Sequence, residues 1–138
     1  MAGSVFLDTS GWLALLNSGD PQHQSADRIW RQVIGSSTRV IFTDWIVAET
    51  GNGSARSQSR HRFVDAVKAI LGDRRVELIV IDSELMLRSL DFYVQHSDKS
   101  YGLVDCASFI VMRDRGITEA FTSDVHFEQA GFARLLTP

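Results

Sequence analysis

Two periods of apolar spacing alternate along the chain. Val5–Leu7 is a continuous apolar run that stops at Asp8, and "WLALL" resumes it after Thr9, Ser10 and Gly11. The first run predicts a short buried strand, and the resumed run predicts a helix with Ser10 as its N-cap. "SGDP" then turns the chain. Residues 22–34 place Ala26, Ile29, Trp30 and Val33 at intervals of three and four, one apolar stripe on a helix. "RVIFT" at 39–43 reads as a strand, and Asp44 to about Asn52 as a helix. "GNGSARSQSRHR" breaks that helix before a second, Phe63 to Leu71. "VELIVI" at 76–81 is a β-branched strand, "SELMLRSLDFYVQ" at 83–95 a helix opened by Ser83, and "LVDCASFIVMRDRG" at 103–116 a helix stopped by Gly116. "EAFTS" predicts another strand, "VHFEQA" a short helix, and "ARLL" offers a last strand.

Strands separated by helices of ten or more residues require βαβ crossovers, hence a parallel sheet with helices on both faces. The predicted fold is therefore a three-layer α/β/α domain with a short, doubly wound central sheet. At 138 residues, with no repeat or linker-like tract, one domain over 1–138 is expected. In open sheets of this class ligands collect beyond the carboxyl ends of the strands, where strand order reverses.

Composition narrows the function classes. A formal charge of −3 supplies no global basic field for nucleic acid, so any such partner must be held locally. The one cysteine, Cys106, has no intramolecular partner and lies in an apolar helical stretch, which reads as a buried, inert thiol in a reducing compartment. No basic segment precedes the first apolar run, and Asp8 interrupts that run after three residues. Neither a signal peptide nor a membrane span is expected, and the protein reads as cytoplasmic.

Four acids stand out by their surroundings. Asp8 follows the first strand and Asp124 the "AFTS" strand, so both project from the carboxyl edge of the sheet. Glu49 lies about a turn into the helix after "RVIFT", and Asp105 lies in the first turn of its helix, where the dipole favours a negative charge. Each sits among apolar neighbours: "FLDTS", "IVAET", "GLVDCA" and "FTSDVHF". Singly, each has a structural explanation as a cap, a dipole partner or a solvated side chain. Together at one partly desolvated edge they would repel and drift toward neutrality unless a cation joined them. A hard divalent ion, Mg²⁺ or Mn²⁺, suits an all-oxygen set.

Other chemistries fit less well. His23, His61, His96 and His126 show no zinc-ligand spacing and read mostly as surface or packing residues. No G-x-S-x-G elbow, P-loop or dinucleotide fingerprint is present. A haloacid-dehalogenase-like phosphatase would need a second acid where this chain has Ser10. A receiver domain would need an early acidic pair that "AGSVFLDTS" lacks.

The motifs resemble those of the PIN domain family, and within it the VapC-type ribonuclease toxins of prokaryotic toxin–antitoxin pairs. "VFLDTSGWLALL" with "DPQH", "VAET", "DKSYGLVDCASFIVMRDRGI" and "EAFTSDVHFEQAGF" stand in the family's order over nearly the whole chain. The resemblance implies an endoribonuclease in which Asp8, Glu49, Asp105 and Asp124 hold one or two Mg²⁺ or Mn²⁺ ions, with Thr9 and Thr122 as supporting hydroxyls. It also implies a homodimer and a cognate antitoxin. One departure is Gly102, where many relatives carry serine. The rival reading is a catalytically silent PIN-like module that binds RNA or protein.

An RNA substrate needs cations near this acidic edge. Arg56, Arg60 and Arg62 in "SARSQSRHR" are candidates for phosphate contacts, with a solvated face or an antitoxin contact as the alternatives. Lys99 and Tyr101 form a second candidate pair, for gripping and stacking on RNA. Trp12, Trp30 and Trp45 read as core or dimer packing.

Overall fold

The computed structural model describes residues 3–137. Five parallel strands form the centre: β1 (Ser4–Leu7), β2 (Arg39–Thr43), β3 (Val76–Ile79), β4 (Glu119–Phe121) and β5 (Ala133–Arg134). Their order is β3-β2-β1-β4-β5, so the chain builds outward from β1 on one side, then returns to build on the other. The register pairs Val5 with Val40 and with Glu119, which makes β1 the middle strand. The reversal of order therefore falls between β1 and β4, where an open α/β sheet leaves a crevice at its carboxyl edge.

Among the described residues seven helices surround the sheet: α1 (Thr9–Leu16), α2 (His23–Ile34), α3 (Asp44–Gly53), α4 (Ser57–Leu71), α5 (Ser83–Gln95), α6 (Leu103–Arg115) and α7 (Val125–Gln129). This is the predicted doubly wound α/β architecture. Trp12 packs edge-on against Phe42 of β2 and near Phe63 of α4, closing the core under the first four helices. Phe109 of α6 gathers Phe92, Tyr101, Phe127 and Phe132 around it in a second aromatic cluster. Cys106 is fully buried, and that burial pushes its thiol up to about 11, an inert group as the sequence suggests.

Local boundaries differ where side-chain bonds compete. α1 starts at Thr9 with Asp8 as N-cap, not Ser10, because a carboxylate directly after the strand reaches the N–H two residues on. Asp82 caps α5 by accepting from Leu85 N–H, so Ser83 is already helical. α4 begins at Ser57, six residues earlier than the predicted Phe63, which puts Arg60 and Arg62 on exposed helical positions. β3 ends at Ile79, and β5 is confined to two residues. Gly116 does stop α6, in the left-handed region at φ 66°. Among the described residues no helix is long and apolar enough to cross a membrane.

Candidate metal centre

A close approach of backbone to backbone sets the centre. A Cβ on Gly11 would fall 2.1 Å from the carbonyl oxygen of Phe121, so only glycine lets α1 start this near the end of β4. Asp8, on the near side of that contact, is 3% exposed. Thr122 Oγ1 donates to Asp8 Oδ2 at 2.7 Å, and Ser10 Oγ lies 3.0 Å from the same oxygen. The two hydroxyls are 2.8 Å apart. Ser10 Oγ also accepts from Ser123 N, and Thr122 Oγ1 from Asp124 N, each at 3.0 Å. This network locks the β1–α1 corner to the β4–α7 corner, across more than a hundred positions of sequence.

Thr122 is thus the hydroxyl that donates to Asp8. Thr9 is buried beside Asp8, but its Oγ1 has no hydrogen-bond partner among the described residues. The second brace is Ser10, which the sequence pattern assigned only to capping.

Asp105 and Asp124 approach from helix starts. Asp105 is the third residue of α6, and its Oδ2 accepts from Gly102 N at 3.0 Å. Glycine at the cap supplies no side chain, so Asp105 itself caps the helix. A Cβ on Gly102 would sit 3.7 Å from Asp105 Oδ2, an ordinary contact, and the missing serine is room beside the carboxylate. Asp124 is the N-cap of α7, and its Oδ1 accepts from His126 N at 2.9 Å.

That short turn carries a ligand candidate absent from the sequence expectations. His126 Nδ1 lies 3.3 Å from Asp124 Oδ1 and 3.4 Å from Asp105 Oδ2, buried and without a hydrogen bond. One donor atom each from Asp105, Asp124 and His126 falls within 4.8 Å of the others. The Asp-x-His spacing at a helix start was the available signal.

Repulsion ties the four acids together. Burial pushes the Asp8 carboxyl up to about 6, and the Asp105 charge adds to the rise against the lowering effect of Thr122 and Ser10. Asp105 is raised as well, first by burial and then by the charges of Asp124 and Glu49, while Gly102 N–H and His126 oppose the rise. Asp105 is therefore the hub that feels or is felt by each of the others. Glu49 reaches it from α3 as an exposed side chain, so the buried setting suggested by "IVAET" does not hold for the carboxylate itself. Crowded, desolvated carboxylates beside an unsatisfied imidazole nitrogen are what a divalent cation relieves.

The basic candidates divide. Arg56, Arg60 and Arg62 are exposed around the start of α4, and Lys99 is exposed and pairs with Asp98 at 3.8 Å. Tyr101 is 7% exposed, edge-on to Phe109 and 5.5 Å from His126. Its ring is core, which removes it as a platform for RNA bases. It stands instead as a wall behind His126. Trp12 is buried, Trp30 lies edge-on to Phe121, and Trp45 is half-buried.

Comparison with known proteins places the chain in a family. The family model described as PIN domain matches residues 5–133. The 23S rRNA-specific endonuclease VapC20 of Mycobacterium tuberculosis is 33% identical over 134 residues, 95% of this chain and 97% of the relative. The crystal structure of VapC20, described as a sarcin-ricin loop cleaving toxin, superposes with a TM-score of 0.82 at 31% identity over 94% of this chain and 96% of that one. VapBC2 from Rickettsia felis, solved bound to a DNA fragment from its promoter, shares the fold at a TM-score of 0.67 and 13% identity, over 95% and 96% of the two chains.

Proposed function

The chain belongs to the PIN domain family, and on that premise we propose that it is a divalent-metal-dependent endoribonuclease of the VapC toxin type, with Asp8, Glu49, Asp105 and Asp124 as its acidic centre. The observation that carries this reading is the convergence on Asp105: three acids from three other elements act on or through one half-buried carboxylate. The donor atoms that lie within reach of one ion belong to Asp105, Asp124 and His126, and Asp8 would join them in holding one or two Mg²⁺ or Mn²⁺ ions. Glu49 would complete the set from the open side, and His126 stands ready as a nitrogen neighbour.

A bound divalent cation supplies positive charge for a phosphoryl oxygen and lowers the pKa of water, so no protein nucleophile is needed. The chain's own part is positional. Thr122 and Ser10 hold Asp8 by one oxygen, Gly102 N–H orients Asp105, and the start of α7 orients Asp124. The aromatic wall of Tyr101, Phe109 and Phe127 keeps the back of the site dry, which strengthens every charge interaction at its mouth.

Relatives named as 23S rRNA endonucleases make large-subunit ribosomal RNA the first substrate to test. The toxin name of the same relative supports a cognate antitoxin. A homodimer has a surface available in α5, where Met86, Leu87, Leu90, Tyr93 and Val94 are exposed along one side. The deciding experiment incubates the protein with ribosomal RNA and Mg²⁺ or Mn²⁺, with EDTA and Asp105→Asn as controls, and maps the cut ends. Metal-dependent cuts lost in Asp105→Asn support the reading. Uncut RNA under every condition would leave only a binding module.

A further inference from the structure

The fold separates the three arginines of the basic run. Arg56 immediately precedes α4 and Arg62 stands in its second turn, and both line one pocket of about 420 Å³. Arg60 instead turns back, donating from Nε to the carbonyl of Ala55. Leu13 and Asn17 of the α1 side form one wall of the pocket, and Ser54 and Ser59 the other. Ser54 is only 4% exposed, so a buried hydroxyl-bearing residue forms part of that wall.

Three features mark the pocket as a place for an anion. Arg31, Arg75, Arg88, Arg115 and Arg134 each pair with an acid, whereas Arg56 and Arg62 form no salt bridge among the described residues. The start of α4 has no side-chain cap, and its N-cap Arg56 and first-turn Ser59 line the pocket, so the first turn of a fifteen-residue helix borders the same space. The lining is concave and mixes two guanidinium forks with hydroxyl and amide groups, the donors that hold a phosphate.

Its position points to the RNA strand. Gly53 lies four residues beyond Glu49, on the same face of α3, and a Cβ on Gly53 would meet Leu13 Cδ1 at 2.9 Å. Leu13 in turn lies four residues beyond Thr9, the neighbour of Asp8. Along both helices the pocket therefore begins about one turn, about 6 Å of axial rise, beyond Glu49 and beyond Thr9, the neighbour of Asp8. A strand carrying a charge about every 3.4 Å along each chain of a duplex spans that interval within a few nucleotides.

We infer that this pocket is a phosphate subsite in which Arg56 and Arg62 hold one backbone phosphate of the RNA while another phosphate of the strand lies at the acids. The inference rests on the ribonuclease reading above. Asp20 enters the same wall with its Oδ1 taken up by Gln22 N at 2.8 Å, and its charge weakens rather than builds the site.

The test measures binding of single-stranded RNA to the whole protein by fluorescence anisotropy over a range of salt, in an Asp105→Asn background that prevents cleavage. Cleavage by the protein without that change is measured in parallel. Combined Arg56→Ala and Arg62→Ala should weaken RNA binding about tenfold or more. The same pair should reduce the slope of log affinity against log salt by about 0.7, the value for one phosphate of a single strand. Lys68→Ala, an exposed cation of α4 outside the pocket, should change neither, and Asp20→Asn should tighten binding. Unchanged affinity and slope in the double variant overturn the subsite and leave the nuclease reading standing, whereas failure of the wild type to cleave RNA overturns both. A double variant that keeps RNA and loses only a co-expressed antitoxin also overturns it.

Discussion

Asp8→Asn tests the physical core of the centre, because it removes one charge and little else. Asparagine is as good an N-cap as aspartate and keeps an oxygen toward Thr122 and Ser10. In the metal-free protein the Asp8 carboxyl is raised from 3.8 to about 6, chiefly by burial. At 1.36 kcal/mol per pH unit, that rise corresponds to about 3 kcal/mol. Between these two values the folded protein keeps a proton that the unfolded chain releases, so Asp8 lowers stability as pH rises through the window. By pH 7 the whole cost is present. Urea unfolding in EDTA at pH 7 should therefore show the variant more stable than the wild type by up to about 3 kcal/mol, with the gap closing toward pH 4. Mn²⁺ at a hundredfold excess over its dissociation constant stabilises a folded-state site by about 2.7 kcal/mol, so it should lift the wild type back to near the variant. The variant should gain much less. Equal metal-free stability at pH 7, or a gap independent of pH, would refute a desolvated Asp8 carboxylate.

Three further outcomes rest on other contacts of the fold. Gly11→Ala drives a Cβ into the backbone oxygen of Phe121 and should cost about 3 kcal/mol in urea unfolding, with RNA cleavage falling as α1 moves away from β4. Thr122→Val keeps the shape but removes the donor to Asp8; it should cost about 1–3 kcal/mol at pH 7 and raise the Asp8 titration further, read by NMR of the carboxyl carbon. Leu87→Glu with Val94→Glu places charge on the exposed side of α5 and should convert the proposed dimer to a monomer in sedimentation, with the fold unchanged by circular dichroism.

Much of the fold was legible because it is written in local periods. The apolar run before Asp8, the stripe from Ala26 to Val33 and the β-branched 76–81, of which 76–79 is strand, each declare their element without help from the rest of the chain. Boundaries were less legible at Asp8, Asp82 and the start of α4. There a side chain bonds a nearby backbone N–H, or a helix extends past a Gly/Ser-rich break, and periodicity does not register either event. The acidic quartet was visible as charge among apolar neighbours. His126 was not, because beside its near neighbour Asp124 its significance lies in Asp105, which reaches its ring from another helix.

By itself the sequence determined the alternation of strand and helix, the four acids and the motif order that resembles the PIN family, since these depend on residues close together along the chain. Only the tertiary structure decided that β4 lies beside β1. That adjacency brings Thr122 onto Asp8, while the packing of α6 beside α5 and α7 carries Asp105 to the other charges and buries Tyr101. It also took the fold to set Arg56 and Arg62 around one pocket while Arg60 turned away. Strand order is the physical reason: it is settled by which faces bury together, and no short stretch of sequence records that choice.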